Sequence, residues 1–236
     1  MAEKTTSRVH AAAHLVERQV RNWELARAQR PGRSTRPGTT VFDFVAISNN
    51  VGGGGGELAA QLGKKLRWPV FDRDILTEMA RNDEVRSRLY KAMDERDLGW
   101  FECAWRSFVR DDLKRDDYFH RLTETLLCLA RKGPAVFVGR ASDLILPKNK
   151  GLRVKVISSL DYRINSFAKA NNLSLRAAAK QVETIERGRA QFIWEHFHIE
   201  LNDPARFDLL INIERVPNRQ AIDLILSLLK ARKIID

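Results

Sequence analysis

Five short apolar runs recur along this chain after its first forty residues. The runs lie at residues 41–48, 68–71, 135–139, 152–158 and 208–213. They are rich in β-branched and aromatic residues, and stretches of helical character separate them. Short buried strands that alternate with helices are typical of a parallel sheet with helices on both faces. The pattern therefore predicts a three-layer α/β fold with about five parallel strands.

The first forty residues follow a different pattern from the rest. Residues 5–30 repeat apolar side chains at three- and four-residue steps, which predicts one amphipathic helix. Two Pro-Gly pairs within residues 30–40 end that helix and indicate a linker. We therefore divide the chain into an N-terminal helix with its linker, residues 1–40, and a main domain, residues 41–236.

Two parts of the main domain are expected to be helical additions to the sheet. Residues 75–131 contain no strand candidate and are polar, charged and helical in character, which predicts a helical insertion between the second and third strands. Residues 174–200 predict another long charged helix. Residues 217–234 predict a final amphipathic helix.

The net charge of +11 and the pI near 10 indicate an anionic partner, such as a nucleotide or a nucleic acid. Residues 1–40 carry eight cations against three carboxylates. This basic arm is either a solvated face, a nucleic-acid footprint, or a contact between subunits of a homo-oligomer. Few aromatic residues lie among its cations, so a nucleic-acid or ribosome-surface role is the weaker expectation.

The apolar runs, the N-terminus and the two cysteines bear on where the protein is located and whether its thiols are reduced. No apolar run approaches the ~20 residues that cross a bilayer, and the N-terminus has no apolar signal region. We expect a cytoplasmic protein without a membrane partner. Cys103 and Cys128 are then expected to be buried reduced thiols. His196 and His198 lie two residues apart without a third ligand nearby, so no metal site is predicted.

A run of five glycines follows the first predicted strand directly. It consists of Gly52, Gly53, Gly54, Gly55 and Gly56, and it opens into a helix. A strand, a glycine turn and a helix in this order present backbone N–H groups to an anion, and the helix dipole adds positive potential. The run is therefore predicted to cradle phosphates. A flexible loop without a ligand is the alternative.

The glycine run departs from a standard Walker A loop. That loop carries Lys and then Ser or Thr after its last glycine, where the amine contacts phosphates and the hydroxyl holds Mg²⁺. Here Glu57 follows Gly56, while Lys64 and Lys65 lie two turns further along the helix. The loop thus has the geometry for phosphate binding and lacks the usual cation.

Several motifs in order resemble the cytidylate kinase-like family, a branch of the P-loop nucleoside monophosphate kinases. The resemblance extends from about Val41 to Val216. Its segments are ISNNVGGGGGELA (47–59), WPVFDRDIL (68–76), VFVGRASDLIL (136–146), LRVKVISSLDYRI (152–164), IERGRAQF (185–192) and DPARFDLLIN (203–212). It implies a P-loop NTPase-type fold, ATP as phosphate donor and a requirement for Mg²⁺.

The resemblance also implies roles for individual residues. The glycines would hold the donor phosphates, Asp72 would lie at the acceptor site, and Arg140 would hold the acceptor phosphate. Residues 174–205 would correspond to the family's lid, whose arginines close over the phosphates, and Arg189 would be one of these arginines. The remaining implied ligand-binding residues are Glu57, Asp74, Asp143, Glu186 and Arg187; Asp72, Asp143 and Glu57 are the candidate carboxylates for Mg²⁺.

Each of these roles has a structural alternative. Asp72 and Asp74 could cap the helix that starts at Ile75, because Asp is a good N-cap residue. Arg140 could pair with Asp143 at the strand end. Glu186 and Arg189 could form a surface ion pair of little energetic consequence. Arg163, which matches an arginine usual after the fourth strand, could be a solvated residue.

The departures from the family motifs concern charge. The family commonly has arginine in place of Gly56 and Arg-Glu in place of Asn49-Asn50, and its first lid arginine would fall near Val182. Because phosphoryl transfer depends on positioning and charge stabilisation, these losses should slow it. The sequence leaves two functions open: a nucleotide kinase that phosphorylates a nucleoside monophosphate or another small acceptor, and a pseudokinase used for ligand sensing or assembly.

Overall fold

The computed structural model describes residues 41–91 and 117–236, and for residues 88–91 the backbone alone. The predicted helix at residues 5–30, the linker that follows it, Cys103 and the middle of the predicted helical insertion lie outside the described residues. Everything below concerns the described part of the chain.

Five short strands form one sheet, close to where the apolar runs predict them. They are β1 (Phe44–Asn49), β2 (Val70–Phe71), β3 (Ala135–Val138), β4 (Leu152–Ile157) and β5 (Leu209–Asn212). The strands occur in the spatial order β2-β3-β1-β4-β5 and run parallel. The predicted α/β class with a parallel sheet of five strands is therefore confirmed.

Helices connect the strands, and serine side chains cap two of them. The helices are α1 (Gly55–Leu66), α2 (Arg73–Arg81), α3 (Asp83–Lys91), α4 (Asp117–Lys132), α5 (Ser142–Ile145), α6 (Leu160–Asn171), α7 (Leu175–Phe197) and α8 (Asn218–Ala231). Ser159 and Ser174 accept hydrogen bonds from backbone N–H groups at the starts of α6 and α7. No helix among the described residues is long and apolar enough to span a membrane.

The chain divides into two compact units. The first comprises the described residues of 41–43 and 71–135, where helices α2 and α4 pack against each other through fully buried side chains such as Met79 and Leu122. Cys128 belongs to this unit, where burial raises the pKa of its thiol to about 12. Cys128 is thus a buried, unreactive thiol.

The second unit comprises residues 44–70 and 136–236 and contains most of the sheet. One face of strands β1, β3, β4 and β5 forms an apolar core with helices α1 and α8. Alternate strand residues point into this core, as the pleat of a strand requires. The fully or nearly fully buried members include Val45, Ile47, Val136, Val154, Val156, Ile211, Leu58, Leu62, Ile225 and Leu229.

The other residues of β4 break the apolar pattern expected for a central parallel strand. Arg153 and Lys155 alternate with Val154 and Val156, and both cations are buried. The Arg153 guanidinium donates to the carbonyl oxygens of Asp143, Leu146 and Pro147 at 2.7–2.8 Å and lies over the Phe44 ring. Arg153 therefore fixes the end of α5, which leaves Lys155 as the unexplained cation of this strand.

Candidate functional site

The glycine loop lies at the carboxyl end of β1 and forms the N-terminus of α1. Gly54, with φ of 69°, is the N-cap residue of α1 and supplies no side-chain cap. The Gly53 N–H is used within the loop, since it donates to the Asn50 carbonyl at 2.9 Å. Among the described residues, none accepts a hydrogen bond from the N–H groups of Gly54, Gly55 or Gly56. Three uncapped donors thus point from a helix N-terminus, which is the arrangement that favours an anion.

The glycines of the loop differ in how tightly they are packed. Gly52 has φ of +75°, and a Cβ atom there would lie 2.2 Å from the Arg163 carbonyl oxygen of α6. A Cβ atom on Gly56 would meet nothing within 4 Å. Gly52 is therefore required by a close approach of two backbones, whereas the side-chain space at Gly56 is open.

Helix α7, which the family resemblance predicts to be part of a lid, contacts the residues that join β1 to the loop. The Glu186 carboxylate accepts from the Val51 N–H at 2.7 Å through Oε1 and from the Asn50 side-chain amide at 2.8 Å through Oε2. Arg189, one turn further along the helix, donates to the Asn49 carbonyl at 3.1 Å. Glu186 is thus a structural partner of the loop and not half of a solvated surface pair.

Arg163 completes this contact from the side of α6. Its Nη1 atom lies 3.5 Å from Glu186 Oε1, and its side chain is 13% exposed. The solvated alternative for Arg163 is therefore wrong. Helices α6 and α7 both touch the loop, α6 through the Arg163 backbone and α7 through Glu186.

Lys155 is a buried cation beside the same loop. Its Nζ atom donates to Asn202 Oδ1 at 3.1 Å and lies 3.5 Å from Ser48 Oγ on the neighbouring strand β1. Loss of solvation on burial, and next the charge of Arg206, lower the pKa of Lys155 from 10.5 to about 8. A lowered pKa means that the folded protein is less stable with Lys155 charged than with Lys155 neutral.

We expect Lys155→Met to be more stable than the parent protein at pH 7, by about 2 kcal/mol. Below pH 8 the lysine is charged in both the folded and unfolded states, so its burial carries the full cost. Between about pH 8 and pH 10.5 the unfolded chain holds more protons, and the stability of the parent rises with pH. Urea unfolding at pH 7 and pH 10 measures this, and an advantage of equal size at both pH values would contradict it.

The turn after β3 carries Arg140 in an unusual backbone conformation. Gly139, Arg140 and Ala141 have φ of 69°, 52° and 54°, so three successive residues are left-handed. The Gly139 N–H donates to the Ile47 carbonyl at 2.9 Å, which ties the turn to β1. Left-handed conformations cost a residue with a Cβ atom about 1 kcal/mol each and are common at functional sites.

Asp143 pairs with Arg206 and not with Arg140. The two side chains of this ion pair are 4% and 7% exposed, and Arg206 also donates to the carbonyls of Glu200 and Leu201 at 3.0 and 2.9 Å. The structural alternative that joined Arg140 to Asp143 is therefore wrong. Asp143 instead holds the segment that follows α7.

Asp72 and Asp74 belong to the other compact unit. Asp72 is the N-cap residue of α2, where its Oδ1 accepts from the N–H groups of Asp74 and Ile75 at 3.0 and 2.9 Å. Asp74 is exposed and pairs with Arg73 at 2.9 Å. The structure thus agrees with the capping alternative for Asp72. An acceptor-binding role for Asp72 or Asp74 stays a prediction.

Two other predicted site residues point to solvent. Glu57 is exposed in the first turn of α1 and accepts from Gln61 at 3.1 Å. Arg187 forms an exposed pair with Glu183 at 2.8 Å. Val182, near which the family's first lid arginine is expected to fall, is 2% exposed. Packing of α7 therefore requires an apolar residue at Val182.

Sequence reasoning did not identify Lys155, Asn202 or Arg206 as parts of this site. One signal was present, because a charged residue at every second position of an otherwise apolar central strand conflicts with burial on both faces. Asn202 and Arg206 carry no such signal, since they lie in an irregular segment after α7.

A cavity of about 980 Å³ lies between α6 and α7. Arg163 and Glu186, which contact the glycine loop, also form part of its wall. The apolar lining includes Leu160, Ile164, Val182, Trp194, Ile199 and Leu201. The volume is within the range of small-molecule sites.

Among the described residues, no three His, Cys, Asp or Glu side chains come together as a metal site.

A comparison of the sequence with protein families identifies the family to which this site belongs. A model of the cytidylate kinase-like family matches residues 44–215. The chain belongs to the cytidylate kinase-like family. The match includes the glycine loop, Arg140 and all of α7, so the predicted resemblance is confirmed over nearly the span expected from the motifs.

The individual relatives have low sequence identity to this chain. A cytidylate kinase of Methanothrix thermoacetophila is 28% identical over 105 residues, which cover 44% of this chain and 60% of that enzyme. The chain thus spans less than two thirds of that relative's length. An uncharacterized protein from Eubacterium ventriosum, at 18% identity, has a crystal structure that matches with a TM-score of 0.63 and covers 80% of this chain and 98% of its own. That likeness concerns the fold.

Proposed function

We propose that the chain is a nucleotide-binding phosphotransferase that moves the γ-phosphoryl group of ATP to a nucleoside monophosphate or another small acceptor. The observation that supports this most directly is the set of uncapped N–H groups of Gly54, Gly55 and Gly56 at the N-terminus of α1. These donors would hold the β- and γ-phosphate oxygens of the donor nucleotide.

Side chains from other elements would supply the charge that the loop lacks. Lys155 interacts electrostatically with Arg206, Arg189, Asp143 and Glu186, and Arg163 adds a fourth cation to this group. Four cations against two carboxylates leave a positive surplus beside the loop. A bound phosphate would offset the cost of burying Lys155, which gives that cost a functional reason.

The acceptor phosphate is assigned to Arg140, whose planar guanidinium suits a bidentate contact with phosphate. The base of the acceptor is not specified by any constellation of residues, so cytidylate is the family's name and not a substrate that we assign.

Magnesium would be held mainly by phosphate oxygens and water. Of the candidate carboxylates, Asp143 is engaged with Arg206 and Asp72 caps α2, while Glu57 is exposed next to the loop. Such a donor set fits Mg²⁺, which keeps several waters and needs only one or two carboxylates. When bound, Mg²⁺ would supply positive charge against the phosphates. Glu57 is the residue available to orient one of its waters.

Calorimetry with ATP and Mg²⁺ tests the binding proposal, and a coupled ADP-release assay with CMP and the other nucleoside monophosphates tests turnover. We expect binding at micromolar to millimolar ATP and release of ADP with at least one acceptor. If millimolar ATP gives no binding heat, the proposal fails.

Gly56→Arg is expected to increase the affinity for ATP and Mg²⁺ by about tenfold, because it adds a cation beside the phosphates. The site is exposed and a Cβ atom there would meet nothing within 4 Å, so the fold should accept the change. Gly56→Gln is the matched control, since it adds similar bulk without charge. Equal affinities for the two variants would contradict a phosphate site at the loop.

A second function, a pseudokinase for ligand sensing or assembly, is favoured by one observation. The two residues directly after Gly56 are Glu57 and Leu58, so the lysine and hydroxyl of a Walker A loop are missing there, and Glu57 is exposed at the helix start. In this alternative ATP binds without ADP release, and the basic residues 1–40 mediate a contact between subunits. Light scattering of the full chain and of a variant lacking residues 1–40 tests the assembly role. The same number of subunits per particle in both proteins would exclude that role.

A further inference from the structure

Three hydrogen bonds join helix α7 to consecutive residues at the entrance of the glycine loop. Arg189 donates to the Asn49 carbonyl, and Glu186 accepts from the Asn50 side chain and from the Val51 backbone. Glu186 lies 135 residues from Val51 in sequence. The contact therefore links an element predicted to be a lid to the start of the loop.

The Glu186 carboxylate holds the loop without taking the donors that an anion would need. It uses the Val51 N–H, which lies before the glycines, whereas the N–H groups of Gly54, Gly55 and Gly56 donate to no described acceptor. The carboxylate side chain is 20% exposed and has Arg163 at 3.5 Å. A largely buried, charge-assisted contact of this kind is stronger than a surface pair.

We infer that Glu186 is the positioning residue that couples α7 to the glycine loop, so that opening of the helix and rearrangement of the loop are a single event. A coupling of this kind is reciprocal, because a change at either site shifts the equilibrium of the other. Its consequence for nucleotide affinity rests on the proposed function, whereas the coupling itself does not.

Amide hydrogen exchange measures the coupling without any ligand. In Glu186→Ala the Val51 amide should exchange about tenfold faster than in the parent, because its acceptor is lost. In Asn50→Asp two carboxylates face each other, so the amides of residues 186–190 in α7 should also exchange about tenfold faster. Glu183→Ala is the control on the same helix, since Glu183 is exposed and lies at an ion pair that does not involve the loop.

The double variant Asn50→Asp/Glu186→Gln exchanges the charge between the two positions. The new side-chain amide on α7 can donate to the new carboxylate at the loop entrance, while its carbonyl oxygen accepts from the Val51 N–H. Both exchange rates should therefore return to within about threefold of the parent. Glu186→Gln alone should also stay close to the parent, because the Asn50 amide can rotate to present its oxygen. This rescue separates a specific contact from a general loss of stability.

Titration of the same variants with ATP and Mg²⁺ gives the second readout. We expect about tenfold weaker binding for Glu186→Ala and recovery in the double variant. Parent-like exchange at Val51 in Glu186→Ala, or parent-like exchange in α7 in Asn50→Asp, would overturn the coupling. If the parent binds no ATP while both exchange effects appear, the coupling stands and the proposed function fails.

Discussion

Gly52→Ala is expected to destabilise the second unit by about 2–4 kcal/mol and to abolish ATP binding. The new Cβ atom would lie 2.2 Å from the Arg163 carbonyl oxygen, and the φ of +75° would add strain of its own. Relief requires the loop to move away from α6, because both contacting groups are backbone. Urea unfolding followed by intrinsic tryptophan fluorescence measures the loss of stability.

Gly56→Ala is the matched control within the same glycine run. Its Cβ atom would meet nothing within 4 Å and the residue lies in the first turn of α1, so alanine should preserve stability or raise it by up to about 1 kcal/mol. Equal unfolding midpoints for Gly52→Ala and Gly56→Ala would show that the loop does not pack against α6 as described.

Arg206→Ala is expected to cost about 3–5 kcal/mol, because it leaves the Asp143 carboxylate buried without its partner. The Asp143 and Arg206 side chains are 4% and 7% exposed, so neither charge can be solvated in place. The unfolding midpoint in urea at pH 7 should therefore fall steeply, and the comparison with the parent protein measures the loss.

The exposed pair between Glu183 and Arg187 provides the comparison for that variant. Glu183→Ala removes a pair of 2.8 Å whose side chains are 69% and 76% exposed, and it should cost less than about 0.5 kcal/mol. The double variant Asp143→Leu/Arg206→Met should be more stable than Arg206→Ala, because no unpaired charge remains. A double variant no better than the single one would refute this explanation.

The strands could be predicted from the sequence because burial on both faces gives continuous apolar runs. The run LRVKVIS places β4 correctly even though it contains two cations. The glycine turn after β1 could be predicted for a similar reason, since a strand, glycines and a helix leave few local conformations open. These signals are local, and so the fold class followed from them.

The partners of charged side chains could not be predicted in the same way. Proximity in sequence suggested Arg140 for Asp143, whereas the structure joins Asp143 to Arg206, which is 63 residues away. Asp72 fits both a helix cap and an acceptor site by residue type alone. Such choices depend on the three-dimensional packing of irregular segments, which no periodic pattern encodes.

The neutral residues before the glycines illustrate the same limit. Asn49-Asn50 stands where the family commonly has Arg-Glu, and from the sequence this reads as a loss of charge. In the structure the Asn50 amide donates to Glu186 at 2.8 Å, so a glutamate at position 50 would face another carboxylate. Asn50 therefore suits the glutamate on α7. We expect that, among related sequences, a substitution at position 50 is accompanied by one at position 186.

The left-handed turn at Gly139, Arg140 and Ala141 has a consequence for the entropy of binding. Its first residue is tied to β1, and the Ala141 carbonyl accepts from the N–H groups of Leu144 and Ile145 at 2.9 Å. The backbone of Arg140 is therefore ordered before any phosphate arrives. Ordering the backbone of one residue costs about 1–2 kcal/mol, and here folding has already met that cost. If Arg140 holds the acceptor phosphate as proposed, binding does not also have to order this part of the backbone.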